Sequence, residues 1–547
     1  MISNNNKNDV ITTEIENIAK IDNLSIKEQR EGSSTSTNDE DRDAQRLAEL
    51  GYKQEFKREV TLFVQTSYTF SIMAVLPNWL IGFGGSMSAG GPMSLFWGLI
   101  VVMPFVMATG LAMAEQFSAY PVNGGVYSWC YLLSSKEWGP LMSWLCGYIF
   151  LAGTLTATMS AAYTMILMFP GYSLLHHTLI DILLCTGKID IINITIRANN
   201  PMDSAGARMG LYIVFLLLGV FYTCLGLRFN GYLNRFIVFW GAIGTMLVVI
   251  IVPSMAQTHP SGKWVFTEFL NTTGYDNSGL TFMFVSITSS RMEFRIAQIS
   301  EGTKNASSSG PRGIIIALSS AMVQALILCI STLYSIQDVE ELQNSSSPVA
   351  TLFLRATRNE KLSAFLLTIL IVSQFGALCN VLLAGAQVMY AMARDYCLPN
   401  SKFWYKLNGK QQIPVRLLLL VAAICITVLL PSLASDVYYE AIISTSVICL
   451  NVSYGLPAFC RLIWKRNDMP KGPFDLGKYS IPINIIAVVW VIFFGVILCI
   501  PSVHPITPET MNWSCLMLGA TVIFALTFWQ VSGRKIYKGP LQTITGE

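Results

Sequence analysis

The chain has 547 residues, of which 52% are hydrophobic and only 13% charged, about half the charged share of an ordinary soluble domain. A formal net charge of +3 is too small to mark a nucleic-acid partner. Twelve cysteines without a CxxC pair, four histidines (His176, His177, His259 and His504), and no phosphate-cradling glycine loop or nucleophile elbow argue against a disulfide framework, a metal site, a cofactor or an enzyme.

Residues 1–45 are rich in Asn, Asp, Glu, Ser and Thr and carry no amphipathic period, which predicts a disordered cytoplasmic tail. They lack the features of a cleaved signal. A pre-membrane segment, 46–60, leads into a transmembrane domain at 61–530, and a short cytoplasmic tail follows at 531–547.

Apolar runs place spans at 61–85, 93–117, 141–169, 209–227, 232–254, 279–298, 313–336, 363–392, 415–431, 437–463, 482–500 and 511–530. In hydrocarbon each backbone N–H and C=O must be satisfied within its own segment, so runs of this length read as membrane helices. The fold class is therefore an all-α polytopic membrane protein with about 12 transmembrane helices.

Span one contains Pro77, Asn78, Gly82, Gly84 and Gly85. Proline removes a donor and clashes with the preceding turn, so the helix should kink or unwind near Pro77. Freed peptide groups at such a break can hold a small polar ligand, and an ordinary kink satisfied by its neighbours fits the same residues. At the end of span two, Glu115 precedes Tyr120-Pro121 and Gly124-Gly125, which reads as a sharply folded connection. Glu115 would carry a coupling proton, lock a gate, or simply anchor that turn.

Basic residues gather on alternate connections. Arg394, Lys402, Lys406, Lys410 and Arg416, then Arg461, Lys465, Arg466, Lys471 and Lys478, then Arg534, Lys535 and Lys538 mark the cytoplasmic side, which puts both termini inside. The sequons at Asn193 and Asn271 fall on the opposite side.

Four segments, met in order, carry a family resemblance: Leu47 to Arg58, the turn Gly90-Gly91-Pro92, Ala119 to Tyr127 (AYPVNGGVY), and Ala393 to Pro399 (ARDYCLP). Together they resemble fungal amino acid/choline/GABA permeases of the amino acid-polyamine-organocation superfamily. The resemblance implies a leucine-transporter-like fold, with spans one to five and six to ten as inverted repeats plus two C-terminal helices. It also implies that spans one and six are broken around a small amino-group solute. Counting back from Gly90-Gly91 places the first break on Leu76, Pro77 and Asn78. Proton symport at the plasma membrane is implied in the same way.

Span six departs from the family pattern. Ser289-Ser290-Arg291-Met292-Glu293-Phe294-Arg295 lacks the family's Trp and Asp, and Gly302 after Glu301 replaces the second acid of the helix end. Arg291 lies twelve residues past Gly279, so at about 1.5 Å per residue it sits roughly 18 Å into the bilayer. A charge there costs about 2.5–3.5 kcal/mol unless it meets a partner or a wet cavity. Three readings fit. Arg291 can bind a substrate carboxylate with Glu293 on Arg295 or on a substrate amine, the charges can form an internal plug, or the segment can be a gene-reading error.

The expectation is a secondary active transporter of amino acids, GABA or choline-like solutes, most simply a proton symporter. The alternative is a non-transporting nutrient sensor or inactive paralogue. The predicted substrate contacts are Leu76, Pro77, Asn78, Ser289, Ser290, Arg291 and Glu293, with Glu115 and Glu301 at coupling or gating positions.

Overall fold

The computed structural model describes residues 62–122, 124–175, 205–276, 279–289, 306–345, 347–407, 413–433, 436–501, 503–507 and 511–540. The predicted tail, the pre-membrane segment and the Asn193 sequon lie outside the described residues. So do Ser290, Arg291, Glu293 and Glu301.

Almost every apolar run of the sequence forms one helix. The chain begins with α1 (Leu62–Met73) and α2 (Val75–Ala119). The second is two helices meeting at Gly91, where φ is 69° and ψ −167°. Glycine is required there. A Cβ on Gly91 would lie 2.9 Å from the Leu270 backbone nitrogen, and the Leu270 N–H donates to the Gly90 carbonyl.

After α3 (Val126–Leu133) come α4 (Gly139–Leu175), α5 (Ala205–Cys224), α6 (Leu227–Met255) and the short α7 (Gly262–Thr267). Next stand α8 (Gly279–Ser289), α9 (Ala306–Leu333), α10 (Val339–Asn344), α11 (Pro348–Thr357) and α12 (Glu360–Arg394). The chain closes with α13 (Ser401–Trp404), α14 (Val415–Leu429), α15 (Asp436–Trp464), α16 (Ser480–Cys499) and α17 (Ser514–Phe528), which continues through a π turn into α18 (Arg534–Ile536).

Eleven helical stretches are long and apolar enough to cross a membrane, and the shorter apolar Gly279–Thr288 stands where the sixth span is predicted. The chain is thus an all-α, multi-pass membrane protein, with no strand among the described residues.

Burial sorts these helices. Within their most apolar windows, 83% of the residues of α4 and 78% of those of α12 and α15 are buried, against 11% for the last span. A helix apolar on all sides belongs either inside a bundle or against lipid. Here α1, α4, α12 and α15 form the interior and α5, α6, α14, α16 and α17 the periphery.

Buried apolar side chains form two clusters. One draws on α1, the two halves of α2, α8, α9 and α16, and the other on α5, α14 and the Tyr537 end of the chain. Only α4, α12 and α15 contribute fully buried side chains to both, among the described residues. Two packed bodies therefore meet along three inner helices.

At one end α11 caps the second half of span one. The Pro348 ring occupies the place of a side chain at Gly84, where a Cβ would stand 2.4 Å from Pro348 Cγ. Glu341 of α10 and Arg355 of α11 pair at 2.5 Å on the outside of this cap. The opposite end carries Arg394, Arg416, Arg461 and Lys465 and is called the basic end below.

Candidate functional site

The first helix breaks at Ala74, three residues before Pro77. Ala74 adopts the left-handed conformation (φ 44°, ψ 49°) between α1 and α2, which costs an alanine about 1–2 kcal/mol. The neighbouring residues account for its persistence. Pro77 has no N–H, so the Met73 carbonyl has no helical donor from that position. The Asn78 side chain supplies one instead, its Nδ2 donating to Met73 O at 2.9 Å. Ala74 N–H donates to Phe70 O at 3.3 Å, and Asn78 N–H to Ala74 O at 3.0 Å.

Ala74 stands twelve residues from the start of α1, roughly 18 Å along the axis and near the middle of a hydrocarbon core about 30 Å thick. Leu76, Pro77 and Asn78 thus form the first turn after the break. Leu76 is buried against α6, where a Cβ on Gly244 would lie 3.3 Å from Leu76 Cδ2. Trp79 Nε1 reaches Thr332 Oγ1 of α9 at 3.4 Å.

A polar seam runs beside this break between α1, α6 and α12. Asn380 is fully buried, and its Nδ2 donates to Ser71 Oγ at 2.9 Å and to Asn234 Oδ1 at 2.6 Å. Tyr68 OH donates to the Asn380 carbonyl at 2.8 Å. One turn away along the same faces stand Ser67 and Asn230. Asn380 Oδ1, Ser67 Oγ and both side-chain polar atoms of Asn230 are buried without a hydrogen-bond partner among the described residues. Orphaned polar atoms inside a membrane bundle are costly.

Other polar side chains of the inner helices α4, α12 and α15 differ in how they are engaged. Thr154 and Thr445 hydroxyls donate to carbonyls of their own helices, Leu151 O at 2.9 Å and Ala441 O at 2.7 Å. Tyr148 OH donates to Cys397 O at 2.7 Å, far from the break. Gln374 Nε2 reaches Ala161 O at 3.4 Å, while Ser373 Oγ and Ser446 Oγ have no partner among the described residues.

Glu115 sits in a second network at the basic end. It is 1% exposed, and its Oε2 accepts from Arg461 Nη1 of α15 at 2.5 Å, Ser480 Oγ of α16 at 2.7 Å and Asn484 Nδ2 at 3.5 Å. The loop before α16 is stitched on beside it. Ser118 Oγ accepts from Phe474 N–H at 2.9 Å and donates to Ser307 O of α9 at 2.8 Å. In that loop the Gly477 N–H holds the Asp475 carboxyl below its ordinary range, with the Glu115 side chain, Lys471 and Arg461 acting in the same direction. A buried pair of this kind is strongly destabilised by loss of one partner.

Residues 62–521 match the family model for amino acid permeases. This chain belongs to the amino acid permease family. The amino-acid permease BAT1 of Arabidopsis thaliana is 28% identical over 514 residues, covering 91% of this permease and 96% of the plant protein. Amino-acid permease 2 of Neurospora crassa is 29% identical over 526 residues, covering 93% and 91%. An uncharacterized amino-acid permease of Schizosaccharomyces pombe is 29% identical over 511 residues, covering 92% and 90%.

Ser289 ends α8 of this permease, while the recognition residues expected after it lie outside the described residues. Sequence reasoning missed Ser71, Asn230, Asn234 and the Glu115 partner Arg461. An Asn pair at i and i+4 near the start of an apolar run was the available signal for the seam. Arg461 had none, because its charge reads equally well as a membrane-orientation signal.

Proposed function

We propose that this permease is a secondary active transporter that carries an amino acid, or a related amino compound such as GABA or choline, together with protons across the plasma membrane, with both termini cytoplasmic. The observation that carries the reading is the left-handed break at Ala74, near mid-membrane, held by Asn78 beside a buried polar seam. Unwound peptide groups at such a depth suit a small zwitterion, since they can meet its charges without a full charge of their own.

Leu76, Pro77 and Asn78 form one wall of the substrate site. Ser289, Ser290, Arg291 and Glu293 form the other, with Arg291 receiving a carboxylate as a fork and Glu293 an amine. The two packing clusters then move against each other across α4, α12 and α15, which exposes the break first to one side and then to the other. Glu115, clamped by Arg461, locks the inner end in one of these states. Glu301 belongs to the same gating layer.

The test is uptake of radiolabelled amino acids, GABA and choline into a host lacking its own permeases, with and without a protonophore. Accumulation that collapses with the protonophore supports proton coupling. Saturable binding without accumulation favours a nutrient sensor of the same fold.

A further inference from the structure

The last span is the least buried of the molecule, with only Ser514 and Ala525 of α17 buried, yet the segment that follows it is keyed into the protein. Tyr537 is 2% exposed, Lys538 points outward, Gly539 rests on a ring and Pro540 is buried again. The Tyr537 hydroxyl pairs with Ser143 Oγ of α4 at 2.7 Å. Its ring packs 5.6 Å from Trp144 and 6.4 Å from Trp529. Gly539, with φ 126°, lies so close to Tyr131 of α3 that a Cβ would stand 2.3 Å from the ring.

The cluster that buries Tyr537 also holds Cys397, at the centre of a strained turn. Between α12 and α13, Tyr396 (φ 59°) and Asn400 (φ 55°) both occupy the left-handed region, a state that persists only where the surroundings over-determine it. Two of those surroundings are visible. Tyr148 OH donates to Cys397 O, and the Cys397 side chain, itself 2% exposed, is buried in the same cluster as Trp144, Tyr148 and Tyr537. The same turn aims Asp395, which accepts from Tyr127 OH of α3 at 2.8 Å and from Arg394 Nε at 3.0 Å.

We propose that Tyr537 to Pro540 form a C-terminal latch, with Tyr537 as a positioning residue that holds the Asp395–Asn400 turn and its Tyr127 clasp closed at the basic end. When the latch leaves, the turn relaxes, Cys397 is uncovered, and the clasp no longer sets the geometry between α3, α4 and α12. The C-terminus thereby regulates the transport cycle. The proposal rests on the family's transport activity and is independent of the coupling ion.

The experiment uses the full chain in native membranes and reads two quantities: alkylation of Cys397 by N-ethylmaleimide, followed by peptide mass spectrometry, and uptake per surface molecule. Tyr537→Ala should speed Cys397 alkylation about tenfold or more and change uptake per molecule by several-fold. Tyr537→Phe and Ser143→Ala keep the ring and lose only the hydroxyl pair, so they should stay within about threefold of the parent. Tyr396→Gly, which removes the strain, should make uptake insensitive to Tyr537→Ala.

Alkylation of Cys397 at the parental rate in Tyr537→Ala overturns the latch. Faster alkylation with unchanged uptake per molecule leaves a passive anchor and overturns the regulatory claim. If Tyr537→Ala fails to reach the membrane, Gly539→Val decides in its place, because its side chain would collide with the Tyr131 ring and lift the segment: faster Cys397 alkylation supports the latch and the parental rate refutes it. Should the parent chain carry none of the solutes tried, the alkylation series still judges the latch by itself.

Discussion

Asn78 is the residue whose replacement tests the break most directly. Asn78→Leu keeps the volume and removes the amide that donates to Met73 O at 2.9 Å. The carbonyl is then left without a donor at mid-membrane, since Pro77 supplies none. A buried acceptor stripped of its partner costs about 1–3 kcal/mol in soluble proteins, and hydrogen bonds in membrane bundles average about 0.6 with a maximum near 1.7 kcal/mol. About 1–2 kcal/mol is therefore expected, which lowers the equilibrium constant for the broken conformation by a factor of about 5–30. Initial uptake normalised to surface protein should fall by up to that factor while the permease still reaches the membrane. The opposite change, Ala74→Gly, relieves the left-handed strain and should preserve uptake while raising thermal stability by up to about 1 kcal/mol. Parental uptake in Asn78→Leu would refute the assignment of Asn78 to the break.

Three further outcomes follow from the described geometry and the proposed site. Arg461→Met strands Glu115 in the interior and should cost about 3–5 kcal/mol, most of it recovered in Glu115→Gln/Arg461→Met, as read from thermal unfolding of the detergent-purified permease. Gly472→Ala drives a Cβ to 2.5 Å from the Ser118 backbone carbon; the loop between α15 and α16 should lift, at about 1–3 kcal/mol, and become sensitive to limited trypsin digestion at Lys471 and Lys478. Arg291→Ala should raise KM for carboxylate-bearing solutes by about tenfold or more while sparing choline in competition uptake, and equal losses for both would remove Arg291 from carboxylate binding.

Much of the fold was legible because a membrane span is a long, uniform signal. The Gly90-Gly91-Pro92 turn was legible too, since only glycine tolerates the backbone that Gly91 adopts. The break was harder to place. Pro77 announces a missing donor, but the position of the reversal is set by which carbonyl a nearby side chain can rescue, and Asn78 reaches back to Met73. Nothing about alanine signals a left-handed residue at 74. The seam and the basic-end network depend on partners far apart in the chain, such as Ser71 with Asn380 and Glu115 with Arg461. Asn230 and Asn234 sit close to the start of α6, where polar residues read as the edge of a helix rather than as part of its buried face.

Asn380 gives the lower half of the first helix an unusual discipline. Its amide grips Ser71 and Asn234 while its carbonyl grips Tyr68, so α1 is tethered at two points one turn apart to a single residue of α12. A swing of α1 must sever both tethers together. Such a segment snaps between positions instead of drifting, and single-molecule distance records across it should show discrete dwell times with an empty gap between them.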